Sequence, residues 1–206
     1  MNFPNILSIL RILLSPVFLW LFLFGSVTLI QLSLFIFTVA ALTDWYDGWY
    51  ARKYGFKTQW GQFLDPLADK ILTSCALIGF YILNNKEPRF FGTNELIPVG
   101  VLIALIIIRD IALTVVRSYK ELKGQDFKTS LISKAKTFTQ MTYIFVMLVF
   151  ITVGVSFRET ELSNMVFAFL YSDLNYYILF LITLITILSG IAYLFESRPG
   201  ADSAPV

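Results

Sequence analysis

The sequence predicts an all-α polytopic membrane protein: a bundle of six transmembrane helices with its functional site near the cytoplasmic interface. Three observations predict it. Of 206 residues, 57% are hydrophobic and 15% charged, and mean hydropathy is +0.72. A soluble domain carries roughly 25% charged residues, so this chain cannot cover an aqueous surface. Apolar runs of the ~20 residues that a spanning helix needs recur along the chain. Four aspartates, Asp44, Asp47, Asp65 and Asp69, lie in or beside two of those runs, and ionisable groups at that depth are costly and functional by default.

The first run extends from Ile6 to Leu42 and is divided near its middle by Gly25-Ser26. It reads as two helices joined by a tight turn, the second continuing to about Tyr50. The third helix runs from Gly61 to Leu83, the fourth from Leu96 to Val116, the fifth from Ser133 to Val155 and the sixth from Tyr176 to Phe195. Residues 1–196 are expected to form one membrane domain. Residues 197–206, with Pro199, Gly200 and Pro205, are expected to be a disordered tail. Met1–Pro4 has no basic segment and no small-residue cleavage site follows, so the first helix is expected to be retained rather than removed as a signal.

Loop charges orient the bundle. Arg52, Lys53 and Lys57 follow helix 2, and Arg117, Lys120, Lys123, Lys128, Lys134 and Lys136 lie between helices 4 and 5. The opposite loops hold Lys86, Arg89 and Arg158 against Glu87, Glu95, Glu159, Glu161 and Asp173. Positive charge marks the cytoplasmic side, which places both termini there, in the cell membrane. The loop lysines also suit attraction to anionic headgroups.

Composition excludes whole classes of chemistry. Cys75 is the single cysteine and histidine is absent, which rules out disulfide frameworks, thiolate clusters, His-based triads and His metal ligands. A net charge of +2 is no footprint for nucleic acid. Acid–base work falls to carboxylates, lysine or tyrosine. Cys75, mid-helix, reads as a small hydrophobe, and Trp45, Trp49 and Tyr50 as interfacial anchors.

Spacing sharpens the acid cluster. Asp44 and Asp47 are i,i+3 and Asp65 and Asp69 are i,i+4, so each pair projects from one helix face. The short 53–60 connection makes the two helices antiparallel neighbours, and both pairs can converge. Gly48, Ala51 and Gly61 lie on the same faces, leaving room for a ligand. Four carboxylates in low dielectric repel one another. A divalent cation removes the conflict, and an all-oxygen set suits Mg²⁺ or Mn²⁺, with Ca²⁺ open. Arg52 and Lys70 flank the cluster as phosphate partners. The competing structural reading is a set of ion pairs, Asp47 with Arg52 and Asp69 with Lys70; it leaves two acids uncompensated.

The pattern D-x2-D-G-x2-A-R-x8-G-x3-D-x3-D, met here by Asp44, Asp47, Gly48, Ala51, Arg52, Gly61, Asp65 and Asp69, resembles the signature of the CDP-alcohol phosphotransferases. Chance agreement at one start point is on the order of 1 in 10¹⁰ at average residue frequencies. Three weaker strings resemble the bacterial phosphatidylglycerophosphate synthase branch: Phe3-Pro4-Asn5-Ile6-Leu7-Ser8 through Arg11, Ile108-Arg109-Asp110-Ile111 to Arg117, and Ser133-Lys134-Ala135-Lys136-Thr137 to Gln140. That branch usually has Glu where Asp110 stands. The likeness covers about residues 3–145.

The resemblance implies transfer of phosphatidyl from CDP-diacylglycerol to glycerol 3-phosphate, releasing CMP. It implies that Asp44, Asp47 and Asp65 hold metal, two Mg²⁺ ions with Mn²⁺ as substitute. Asp69 is implied as a shared ligand and the base for the acceptor hydroxyl. Gly48, Ala51 and Gly61 would admit the cytidine nucleotide, Arg52 would face the diphosphate, and the protein would be a homodimer.

A phosphorylated acceptor must have its anion paired before burial. Arg109, Arg117, Lys134 and Lys136 are the candidates for that site. Arg117 is two turns beyond Arg109, about 80° round the helix, and Lys134 and Lys136 are about 200° apart. One of the two lysines is therefore expected to face headgroups instead. Pairing of Arg109 with Asp110 is the competing reading. Inositol phosphate or phosphatidylglycerol as acceptor remains open within the family, and cation-coupled transport is the alternative outside it.

Overall fold

The computed structural model describes residues 3–54, 59–87, 89–122 and 131–196, without the side chains of 3–5, 44, 45, 47–54, 59–63, 120–122, 131–134 and 192–196. The expected tail, residues 197–206, lies outside the described residues. Among them, seven helices and no strand are present: α1 (Phe3–Phe24), α2 (Val27–Tyr54), α3 (Gln59–Lys86), α4 (Val99–Leu122), α5 (Leu131–Ser156), α6 (Glu161–Leu170) and α7 (Asp173–Glu196). The all-α membrane class therefore holds. The seventh element, α6, was not foreseen. It occupies the loop expected between the fifth and sixth helices, and its ten residues span only about 15 Å, half a hydrocarbon core.

Five helices are long and apolar enough to cross a membrane: Ile6–Phe24, Leu64–Lys86, Val99–Tyr119, Ala135–Ser156 and Asp173–Ile191. The apolar part of α2, Val27–Thr43, adds 17 residues. Large apolar side chains face outward throughout, with Phe35 64%, Ile108 66% and Phe138 74% exposed. Water would penalise such faces heavily; hydrocarbon does not.

Local chemistry sets the breaks. Gly25 takes φ +73° between α1 and α2, a left-handed residue of the kind that ends helices. Ser26 then starts α2: its hydroxyl accepts from Leu29 N–H at 3.3 Å and its carbonyl from Ile30 N–H at 2.9 Å. Thr160 caps α6, its side chain accepting from Ser163 N–H at 3.2 Å. Asp173, first residue of α7, accepts from Thr93 N–H at 2.8 Å and Asn94 N–H at 3.2 Å and so ties down the loop before α4.

α1 packs against both α2 and α3. Phe18 meets Phe37 with ring centroids 5.3 Å apart, and Phe22 meets Phe80 at 6.1 Å. Gly79 permits the second approach, because a Cβ there would sit 3.0 Å from Phe22. α4 packs between α3 and α7, and α5 touches α2, α3, α6 and α7. Phe37, Leu72, Phe80, Ile106, Ile144, Met147 and Tyr176 form the dry centre. Polar residues concentrate to one side of it, among α1, α3, α4, α5 and α7.

Candidate active site

α2 carries Asp44, Asp47, Gly48, Ala51 and Arg52 on one unbroken helix, and α3 carries Gly61, Asp65 and Asp69. Residues 55–58 join them, so Tyr54 and Gln59 lie under about 20 Å apart. The two helices pack against each other. The side chains of Asp44, Asp47, Gly48, Ala51, Arg52 and Gly61 lie outside the described residues. Those of Asp65 and Asp69 are described and partly buried. Among the described residues no three acids or thiols assemble into a metal-holding group.

Asp65 has a partner that sequence reasoning missed: the Ser8 hydroxyl of α1 donates to its Oδ1. Ser8, Arg11 and Ser15 are all at most 1% exposed. At i, i+3 and i+7 they form one buried polar stripe on an otherwise apolar helix, and that spacing was the available signal. Arg11 donates from Nε to the Ala40 carbonyl of α2 at 3.2 Å. The first helix thus braces both acid-bearing helices.

Asp69 pairs with Lys70 at 3.0 Å, one of the two ion pairs anticipated; the other, Asp47 with Arg52, lies outside the described side chains. A second cluster lies among α4, α5 and α7. Lys136 of α5 donates to Asp110 Oδ1 of α4, with their side chains 1% and 3% exposed. Arg109 reaches the same oxygen at 3.1 Å and also donates from Nη2 to the Ser189 hydroxyl of α7 at 2.7 Å. Gly190 is why Arg109 fits: a Cβ there would lie 3.0 Å from its Nε. Neither Ser189 nor Gly190 was anticipated, because nothing local to α7 marks them.

Of the four basic residues predicted for an acceptor phosphate, Arg109 and Lys136 therefore converge. Arg117, eight residues further along α4, is partly exposed. The side chain of Lys134 lies outside the described residues. The pairing of Arg109 with Asp110, the competing reading, is present. Two cations, Arg109 and Lys136, with one carboxylate, Asp110, leave one positive charge in a mostly buried setting. Such a setting strengthens the attraction of an anion.

Comparison with known proteins shows the family. The family model described as CDP-alcohol phosphatidyltransferase matches residues 1–188. The likeness thus runs well beyond the 3–145 expected and takes in α6 and most of α7. The chain is 31% identical over 192 residues to a Rickettsia bellii protein named CDP-diacylglycerol–glycerol-3-phosphate 3-phosphatidyltransferase, covering 93% of each chain. Proteins of the same name from Wigglesworthia glossinidia brevipalpis and Salmonella typhimurium are 35% identical over 150 residues and 32% over 142. The matches cover 72% and 68% of this chain, and 77% and 72% of those relatives.

Proposed function

This chain belongs to the CDP-alcohol phosphatidyltransferase family, and from that premise we propose that it transfers phosphatidyl from CDP-diacylglycerol to glycerol 3-phosphate, yielding phosphatidylglycerophosphate and CMP. The observation that carries the acceptor is the convergence of Arg109 and Lys136 on Asp110. A serine- or choline-type acceptor would have no use for that many cations at depth.

In this reading Asp44, Asp47, Asp65 and Asp69 hold divalent metal, Mg²⁺ or Mn²⁺, as two ions. When bound, the metal offsets negative charge on the diphosphate and on the departing CMP. Arg52 pairs with the diphosphate, while Gly48, Ala51 and Gly61 leave space for the cytidine. Asp69 takes the proton of the sn-1 hydroxyl as that oxygen attacks phosphorus in line. Lys70 pairs with Asp69 at 3.0 Å. Arg109 and Lys136 bind the acceptor phosphate, with Arg117 and one face of α5 at Lys134 as flanking charges. The diacyl chains stay in hydrocarbon throughout.

The same reading has α1 to α5 and α7 as six spans, the 28 residues of α2 reaching about 42 Å. The basic loops put the acids near the cytoplasmic face of the cell membrane, with both termini on that side. Family likeness supports a homodimer. The experiment is a transfer assay on purified protein in detergent, with CDP-diacylglycerol and a panel of labelled acceptors. Phosphatidylglycerophosphate and stoichiometric CMP should form from glycerol 3-phosphate, stop in EDTA and resume with Mg²⁺. Preference for inositol phosphate or phosphatidylglycerol would reassign the acceptor. Cation flux in liposomes without CMP release would reject the enzyme.

A further inference from the structure

The buried basic cluster contains more acceptor oxygens than its cations use. Among the described residues four buried side-chain atoms have no hydrogen-bond partner: Asn84 Oδ1, Arg109 Nε, Asp110 Oδ2 and Gln140 Oε1. Two of them belong to the Arg109–Asp110–Lys136 cluster itself. Gln140 stands one helical turn beyond Lys136, on the same face of α5, and is 3% exposed. Leaving such an atom unpaired costs roughly 1–3 kcal/mol. An unpaired buried group of this kind beside a charged cluster calls for a partner that completes it.

The chemistry of the missing partner is specific. A phosphate offers only acceptors, so it suits Lys70, Arg109 and Lys136 but does nothing for a carboxamide oxygen. Gln140 Oε1 needs a donor, and a hydroxyl is one. Position agrees: Gln140 is one helical turn from Lys136, whose ammonium pairs with Asp110 beside Arg109, and in glycerol 3-phosphate the middle hydroxyl sits on the carbon next to the phosphate-bearing one.

We infer that Gln140 is a specificity residue that reads the non-reacting hydroxyl of the acceptor, its Oε1 accepting from the sn-2 hydroxyl while Asp69 faces the sn-1 hydroxyl. The inference rests on the glycerol 3-phosphate reading and deepens it: the site selects a polyol phosphate over an alkyl phosphate of the same charge and length. Asp110 Oδ2 is less suited to the task. Its carboxylate already organises two cations, and any change there moves the phosphate site as well.

The test compares glycerol 3-phosphate with propane-1,3-diol monophosphate, which keeps the reacting hydroxyl and the phosphate and lacks the middle hydroxyl. Wild-type enzyme should favour glycerol 3-phosphate at least tenfold in kcat/KM. Gln140→Met, similar in volume, should lose tenfold or more on glycerol 3-phosphate and less than threefold on the diol phosphate, so that the preference collapses. An unchanged KM for CDP-diacylglycerol shows that the variant is folded. As a second readout, glycerol 3-phosphate should raise the Tm of wild type more than inorganic phosphate does, and that excess should vanish in Gln140→Met. Parallel loss on both acceptors, or an undiminished preference, overturns the role of Gln140 while leaving the transfer reaction intact. Failure of the wild type to use glycerol 3-phosphate at all overturns the acceptor reading, and this inference with it.

Discussion

Ser8, in the second turn of α1, donates its hydroxyl to the carboxylate of Asp65 on α3, across 57 residues of sequence. Ser8 is wholly buried, so the bond is shielded from water and orients a carboxylate that the proposed function gives to metal. A hydrogen bond to a charged group contributes roughly 1.5–3 kcal/mol, and partners that orient metal ligands commonly change metal affinity 10–100-fold. Ser8→Ala should therefore raise the Mg²⁺ concentration for half-maximal activity about tenfold or more, with maximal activity largely recovered at saturating Mg²⁺. A metal titration of initial rates checks this; an unchanged midpoint would separate Ser8 from the metal site.

Asp69 pairs with Lys70 at 3.0 Å and is the base in the proposed transfer. Asp69→Asn keeps the shape and removes the base. Turnover should fall by about 10²–10⁴-fold, the usual range for a general base, while binding of CDP-diacylglycerol changes by less than about threefold. Single-turnover CMP release alongside equilibrium binding distinguishes the two effects. Normal transfer would remove Asp69 from the base role.

Asp110 and Lys136 are a buried pair that neither helix can lose alone without cost. Breaking such a pair by removing one partner typically costs about 3–5 kcal/mol, whereas replacing both by apolar groups is often neutral. Asp110→Leu and Lys136→Met should each lower Tm in detergent by several degrees, and the double variant should recover most of that loss. All three should lose activity. Stability that adds across the two sites would contradict a direct pair.

Gly190 leaves the space that the Arg109 side chain fills. Gly190→Val should displace the guanidinium from Ser189 and raise the KM for glycerol 3-phosphate about tenfold, with the KM for CDP-diacylglycerol unchanged. Steady-state kinetics on each substrate at saturating levels of the other give the split. Equal rises in both constants would indicate a general packing defect instead.

Chain composition and local periodicity were sufficient for the class of solvent, for five of the helices as spans and for the acid motif on α2 and α3. Each of these is a short-range property. Hydrocarbon demands long apolar helices wherever the chain crosses it, and the 3.6-residue repeat places i,i+3 and i,i+4 acids on one face whatever surrounds them. A search for ~20-residue apolar runs passes over a ten-residue helix, so α6 went unseen, although Thr160, Glu161 and Ser163 carry a capping signal. Tertiary packing alone decided the rest: that Ser8 meets Asp65, that Lys136 enters the core, and that α7 supplies Ser189 and Gly190 to hold Arg109. In lipid nearly every helix face is apolar, so sequence periodicity does not say which faces meet. Only the packed bundle brings together side chains 26 to 80 residues apart and buries their charges where each must find a partner.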